Sequence, residues 1–199
     1  MKYSKDFELI FNSFDYTVFT IDDVKLALKE KNISYPYLRL MLHNLIKSGT
    51  VKRITNGVYT FHNDMAVIGF AFRPFYYGLE NALSFLGISQ QVTNDIIITT
   101  RNIRTGTRNF YGRNYRIVKI PKNLLFGYNT IKYGNFWIPV SDLEKTLIDM
   151  LYFKVQIRAE LYKTISKNLD TKKLHKYLKR YDYKFSNMAM KTAKYIVEH

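Results

Sequence analysis

Phe7, Ile10, Phe11 and Phe14 recur at three- and four-residue intervals, which predicts a first helix over residues 4–13 with one apolar face. A second helix is predicted to start at Thr20. Its hydroxyl and Asp23 three positions on have the spacing of a capping box, and Asp22 adds negative charge where the helix dipole favours it. Val24, Ala27 and Leu28 form its inward stripe, and Asn32 closes it. Ser34 is expected to cap a third helix with Pro36 in its first turn, where a missing N–H is harmless, and Ser48-Gly49 to end it. On that helix Leu38, Met41, Leu42, Leu45 and Ile46 project to one side. Pro36, Tyr37, Leu40, His43, Asn44 and Lys47 project to the other, with Arg39 on the flank. A hairpin follows, turning at Asn56-Gly57, a dipeptide that tolerates positive φ at both central positions.

Beyond His62 the period changes. Residues 65–72 are a short apolar run read as a strand, and residues 77–86 a helix with Leu79, Ala82, Leu83 and Leu86 on one face. Residues 96–100 and 115–120 are strand-like, and residues 131–133 and 136–140 form a hairpin around Gly134-Asn135. Ser141 with Glu144 has the spacing of another capping box, opening a helix through Tyr152. Residues 158–198 read as helical, broken near 168–170 and near 182–186. The pattern predicts an α+β chain of two domains. Residues 1–64 are expected to be an N-terminal winged helix-turn-helix, and residues 65–199 a mixed β-sheet domain with C-terminal helices.

Charge sharpens this reading. The chain carries a net +15 over 199 residues, which points to a polyanionic partner. Residues 1–64 hold nine cations against seven acids, yet between Lys31 and His62 every charged side chain is positive: Lys31, Arg39, Lys47, Lys52 and Arg53. A helix and hairpin presenting only cations suit duplex DNA. Asn44 and Arg39 could read base edges in the major groove, with Tyr35, Tyr37, Leu40, His43 and Lys47 around them. Lys52, Arg53 and Asn56 on the wing would reach phosphates or the minor groove.

Three later segments resemble the AbiEi-type antitoxin family, the regulator half of type IV toxin–antitoxin modules. They are Phe75-Tyr-Tyr-Gly-Leu-Glu-Asn-Ala-Leu-Ser-Phe-Leu-Gly-Ile88, Asp95-Ile-Ile-Ile-Thr-Thr100 and Ile138-Pro-Val-Ser-Asp-Leu-Glu-Lys-Thr-Leu-Ile-Asp-Met-Leu151. The last is similar to the family's V-x-D-x-E-[RK]-T-L-x-D-x-L segment at almost every fixed position. The resemblance covers about residues 1–155. It implies an N-terminal domain that represses its own promoter, with paired protomers on inverted repeats, and a residue 65–199 domain that supplies antitoxicity. The toxin would be a nucleotidyltransferase encoded alongside, opposed without a stable complex. Two alternatives stay open: a winged-helix regulator without a toxin, and an RNA-binding or RNA-modifying protein.

The second alternative rests on residues 101–116, where Arg101, Arg104, Arg108, Arg113 and Arg116 alternate with Phe110, Tyr111 and Tyr115 without an acid. Arginine interleaved with aromatics suits phosphate contact with base stacking. Asp142, Glu144 and Asp149 form the one carboxylate cluster that invites catalysis, and capping plus ion pairing explains it better. Asp149 is expected to pair with a cation of the sheet. No Asp-x-Asp pair for nucleotidyltransfer and no phosphate-cradling glycine motif occurs, and His43, His62, His175 and His199 lack ligand spacing. No enzyme activity, metal or cofactor is therefore expected. The chain has no cysteine, which excludes disulfides. Without an apolar run of about 18 residues, or a signal-like N-terminus, the expected location is the cytoplasm, off the membrane.

Overall fold

The computed structural model describes residues 3–12, 17–91 and 93–198. Phe14 and His199 lie outside the described residues. The chain divides into two compact units, residues 1–73 with 133–136, and residues 74–132 with 137–199.

In the first unit, α1 (Ser4–Phe11), α2 (Ile21–Ala27) and α3 (Tyr35–Lys47) precede a two-stranded hairpin, β1 (Lys52–Thr55) and β2 (Val58–Thr60). The capping box of α2 is formed in both directions: Asp23 N–H donates to the Thr20 hydroxyl, and Thr20 N–H donates to Asp23. Asn32 closes the following turn in the left-handed region at φ 47°, a conformation asparagine tolerates better than most residues. Ser34 occupies the N-cap of α3, but its side chain makes no capping bond; Pro36 does stand in the first turn. Phe19 and Tyr59 exchange two backbone hydrogen bonds of 2.9 Å, which adds a single-residue bridge to the hairpin. Phe7, Phe11, Phe19 and Phe61 pack ring against ring at about 5–6 Å over the buried stripe of α3, giving this small unit its core.

Met65–Phe72 is 3-10 helix, not the strand its apolar run predicts. A short, uninterrupted apolar segment carries no period to separate the two conformations. Here the Asp64 carboxylate accepts from Ala66 N–H and starts the helical turn.

Among the described residues six strands, in the second unit but for Tyr133 and Phe136, form one mixed sheet in the order β5-β6-β4-β3-β8-β7. They are β3 (Phe75–Tyr77), β4 (Asp95–Thr99), β5 (Gly106–Phe110), β6 (Arg113–Lys119), β7 (Tyr128–Tyr133) and β8 (Phe136–Ser141). β4 pairs parallel with β6 and antiparallel with β3, and β3 meets β8 in parallel. The segment expected to be one helix over 77–86 divides instead, Tyr77 ending β3 and α4 running Leu79–Phe85. α5 (Leu143–Tyr152) packs on α4, and α6 (Tyr162–Asn168), α7 (Thr171–Leu178) and α8 (Tyr183–Glu198) complete the helical layer. The cap of α5 is Asp142, which accepts from Lys145 N–H, one residue later than expected. Ser141 ends β8, and its hydroxyl bonds Thr146. Among the described residues no helix is long and apolar enough to cross a membrane.

Candidate nucleic-acid interface

α3 divides as its sequence predicts. Leu38, Met41, Leu42 and Leu45 are buried, whereas Arg39, Leu40, His43, Asn44 and Lys47 are exposed. The period of 3.6 residues puts apolar side chains on the core and leaves the remainder as a strip of donors and one aliphatic, Leu40, 54% exposed. No acid stands on this strip. Tyr35 is exposed but engaged: its hydroxyl donates to Asp22 of α2 at 3.1 Å, and the Lys25 ammonium lies 5.6 Å from its ring. That hydrogen bond to Asp22 raises the phenol above its ordinary value. Tyr37 is half-buried, edge-on to Tyr3 at 6.0 Å, with its hydroxyl lacking a hydrogen-bond partner. Tyr35 and Tyr37 thus buttress the helix start more than they extend the exposed strip.

The hairpin separates its two cations. Arg53 is exposed, and its guanidinium donates to Asn56 Oδ1 at 2.7 Å and to the Thr55 carbonyl at 3.4 Å, so Asn56 fixes its direction at the turn. Lys52 is buried, with its ammonium 3.5 Å from the Phe61 carbonyl, and burial lowers its pKa. Neighbouring residues of a strand point to opposite faces, so Lys52 and Arg53 could not both project outward. The alternation was present in the sequence, Lys52 and Ile54 sharing one parity and Arg53 the other.

Residues 101–116 span the edge strand β5, the turn and β6. The register pairs Arg108 with Tyr115, Phe110 with Arg113 and Thr107 with Arg116. Arg108 and Arg113 therefore share one face of this ribbon and Arg116 takes the other. Arg101, Arg104, Arg113 and Arg116 are exposed; Arg108 is half-buried and donates to the Arg104 carbonyl at 2.8 Å. Phe110 and Tyr115 are buried in the sheet and unavailable for stacking on a base. Tyr111, 58% exposed at the turn with φ 48°, is the aromatic this ribbon presents to solvent. The five arginines are thus brought into one region but not onto one face.

The carboxylates of α5 are consumed by structure. Lys145 and Asp149 form an ion pair within α5, with relative exposures of 0% and 1%, so the partner of Asp149 lies on its own helix and not in the sheet. The Tyr76 hydroxyl donates to the second Asp149 oxygen at 2.7 Å, and Lys145 also donates to Tyr181 at 3.0 Å. Burial pushes the Asp149 carboxyl up and the Lys145 ammonium down, against the attraction each has for the other. Asp142 accepts from Tyr177 at 2.8 Å, and Lys173 bridges Asp142 and Glu144 at 3.1 and 2.9 Å. Glu144 further accepts from Asp170 N–H, joining the start of α7 to α5. Sequence reasoning missed Tyr76, Lys173, Tyr177 and Tyr181. The available signal was that Lys145 and Asp149 interrupt an apolar helix and so require buried partners. Among the described residues no group of three or more His, Cys, Asp or Glu side chains converges so as to hold a metal ion.

No protein-family model and no curated protein matches the sequence. Among solved structures, the chain is similar to the crystal structure of RV2827C protein from Mycobacterium tuberculosis, with a TM-score of 0.61 and 14% sequence identity. The match covers 91% of this chain and 71% of that one. At this identity the likeness is one of fold.

Proposed function

We propose that the first unit acts as a winged helix-turn-helix that binds the promoter of the protein's own operon, and that the chain is the antitoxin and autorepressor of a type IV toxin–antitoxin module in the cytoplasm. One observation carries the DNA reading: the solvent side of α3 presents Arg39, His43, Asn44 and Lys47 without an acid, and a hairpin with an outward Arg53 follows directly. In this reading α3 lies in the major groove, where Arg39 and Asn44 form two-point hydrogen bonds to base edges. Lys47 and Arg53 contact phosphates, Arg53 held in place by Asn56. Paired protomers would occupy inverted repeats.

The antitoxin reading draws on the AbiEi-like segments at 75–88, 95–100 and 138–151. The partner it implies is a nucleotidyltransferase toxin, met genetically and without a stable complex. No catalytic group is assigned to this chain, because the carboxylates of α5 are held by Lys145, Lys173, Tyr76 and Tyr177.

The test is a gel shift against the protein's own promoter and an unrelated duplex of equal length. Arg39→Ala with Asn44→Ala should lower the preference for the promoter by at least about tenfold, as expected for two lost base contacts. Retained preference overturns the role of α3. A nucleotidyltransferase gene beside this one supports the antitoxin role; a promoter-specific repressor with no such neighbour leaves a stand-alone regulator.

An RNA-binding role for the β5–β6 ribbon is favoured by one observation, the exposure of Tyr111 at the turn, two residues before the exposed Arg113. In cells expressing the toxin, Arg113→Ala with Arg116→Ala should abolish rescue while promoter repression persists, if this ribbon is the antitoxic surface.

A further inference from the structure

α7 and α8 pack with an open groove between them. One end, of about 390 Å³, has a floor of Leu174, Met190, Ala193 and Val197. The other, of about 330 Å³, continues past Leu178, and Met190 lines both. Leu174, Leu178 and Ala193 are buried beneath the groove, and Met190, a flexible side chain at its middle, and Val197 give it open apolar surface. Val197 is 45% exposed, so apolar surface here stands open to water.

Each end carries lysines: Lys191 and Lys194 of α8, with Glu198, line the end around Val197, and Lys179 just past α7 lines the end around Leu178. Residues 171–198 hold eight Lys and Arg against two acids, Asp182 and Glu198. Of those cations Lys173 is engaged by Asp142 and Glu144 outside the groove, while Lys194 has the exposed Glu198 3.7 Å away, a pairing too solvated to neutralise the wall.

We infer that this groove docks an amphipathic α-helix of a partner protein, one with an aliphatic stripe at i, i+3, i+4 and i+7 flanked by Glu or Asp. The stripe would seat on Met190 and Val197, and the flanking acids would face Lys179, Lys191 and Lys194. At the end around Val197 the lining side chains other than the lysines, Thr171 and Glu198 are aliphatic, which favours this occupant there, while Tyr181, Tyr183, Ser186 and Asn187 line the other end. Bases seek aromatic faces and hydrogen-bonding groups, and a lipid surface engages a convex apolar face, not a recess between two helices. The inference goes beyond the DNA-binding reading and does not depend on it.

The experiment titrates the full-length protein against a labelled helical peptide with leucines at i, i+3, i+4 and i+7 and glutamate flanks, followed by fluorescence anisotropy. The same peptide with lysine flanks, phosphatidylglycerol vesicles and a single-stranded RNA are tested in parallel. The glutamate-flanked peptide should bind at least about tenfold more tightly than the lysine-flanked one. Met190→Asp with Val197→Asp should remove binding. Because Met190 is half-buried, a second variant, Lys191→Glu with Lys194→Glu, changes only exposed side chains and should reverse the preference between the two peptides. Absence of binding by the glutamate-flanked peptide overturns the inference, as does equal affinity for both peptides. Binding of vesicles or RNA that the lysine reversal abolishes, with no peptide binding, overturns it in favour of those ligands.

Discussion

Lys145 and Asp149 face each other one turn apart on α5, paired and both shut away from water. This pair interrupts the apolar side of α5, and its surroundings explain the residues as architecture. Tyr76 from β3 and Tyr181 beyond α7 bring the remaining hydrogen bonds. Removing one partner leaves an uncompensated buried charge. Lys145→Met and Asp149→Asn should each cost about 3–5 kcal/mol in urea unfolding, a large share of a typical domain's stability. Lys145→Met with Asp149→Asn should cost less than the sum of the two single losses by more than about 1 kcal/mol. Additive losses would show that the pair is not coupled.

Gly127 turns at φ 69° beside the same helix, and a Cβ there would stand 2.8 Å from Lys145 Cβ and 2.9 Å from Tyr177 Cε2. Gly134, at φ 55°, would meet nothing within 4 Å. Both alanine substitutions incur backbone strain, but only Gly127→Ala adds a collision. Gly134→Ala should cost about 1 kcal/mol and Gly127→Ala about 2–4 kcal/mol, read as denaturant midpoints. Equal costs would mean that the crowding at Gly127 relaxes freely.

The proposed DNA binding predicts that the two hairpin cations separate in a salt titration. Arg53→Ala should weaken every duplex and reduce the slope of log K against log salt by about one. Lys52→Met should leave that slope unchanged, because the Lys52 ammonium is turned to the Phe61 carbonyl. A fall in slope with Lys52→Met would place that ammonium on the DNA.

Alkaline pH should loosen the link between α5 and α7. Burial and the hydrogen bond to Asp142 push the Tyr177 phenol up to about 12. Burial pulls the Lys173 ammonium down, but its bonds to Glu144 and Asp142 outweigh this and hold it above its ordinary value. In both cases the folded state holds the proton more tightly than the unfolded chain. The stabilisation is complete below about pH 10 and is lost as pH rises through that range towards about 12. Urea midpoints should fall accordingly, and less steeply in Tyr177→Phe. A Tyr177→Phe profile as steep as wild type would assign the loss to other groups.

Much of the fold could be read from local pattern. The capping box at Thr20 and Asp23, the split faces of α3 and the turn at Asn56-Gly57 each depend on residues within a few positions of one another. Lys52 was legible too, had strand alternation been applied to it. The 65–72 helix was not, since an unbroken apolar run is compatible with either conformation.

The sequence by itself determined where most helices and strands lie and which side of α3 meets solvent, because amphipathic period and capping are short-range properties of the chain. Only the tertiary structure decided which charges lie on the surface and which in the interior. Asp149 meets Tyr76 across 73 positions and Asp142 meets Tyr177 across 35, and the groove between α7 and α8 exists because two separate helices pack. A buried charge is defined by partners that long-range folding delivers, and no local pattern names them.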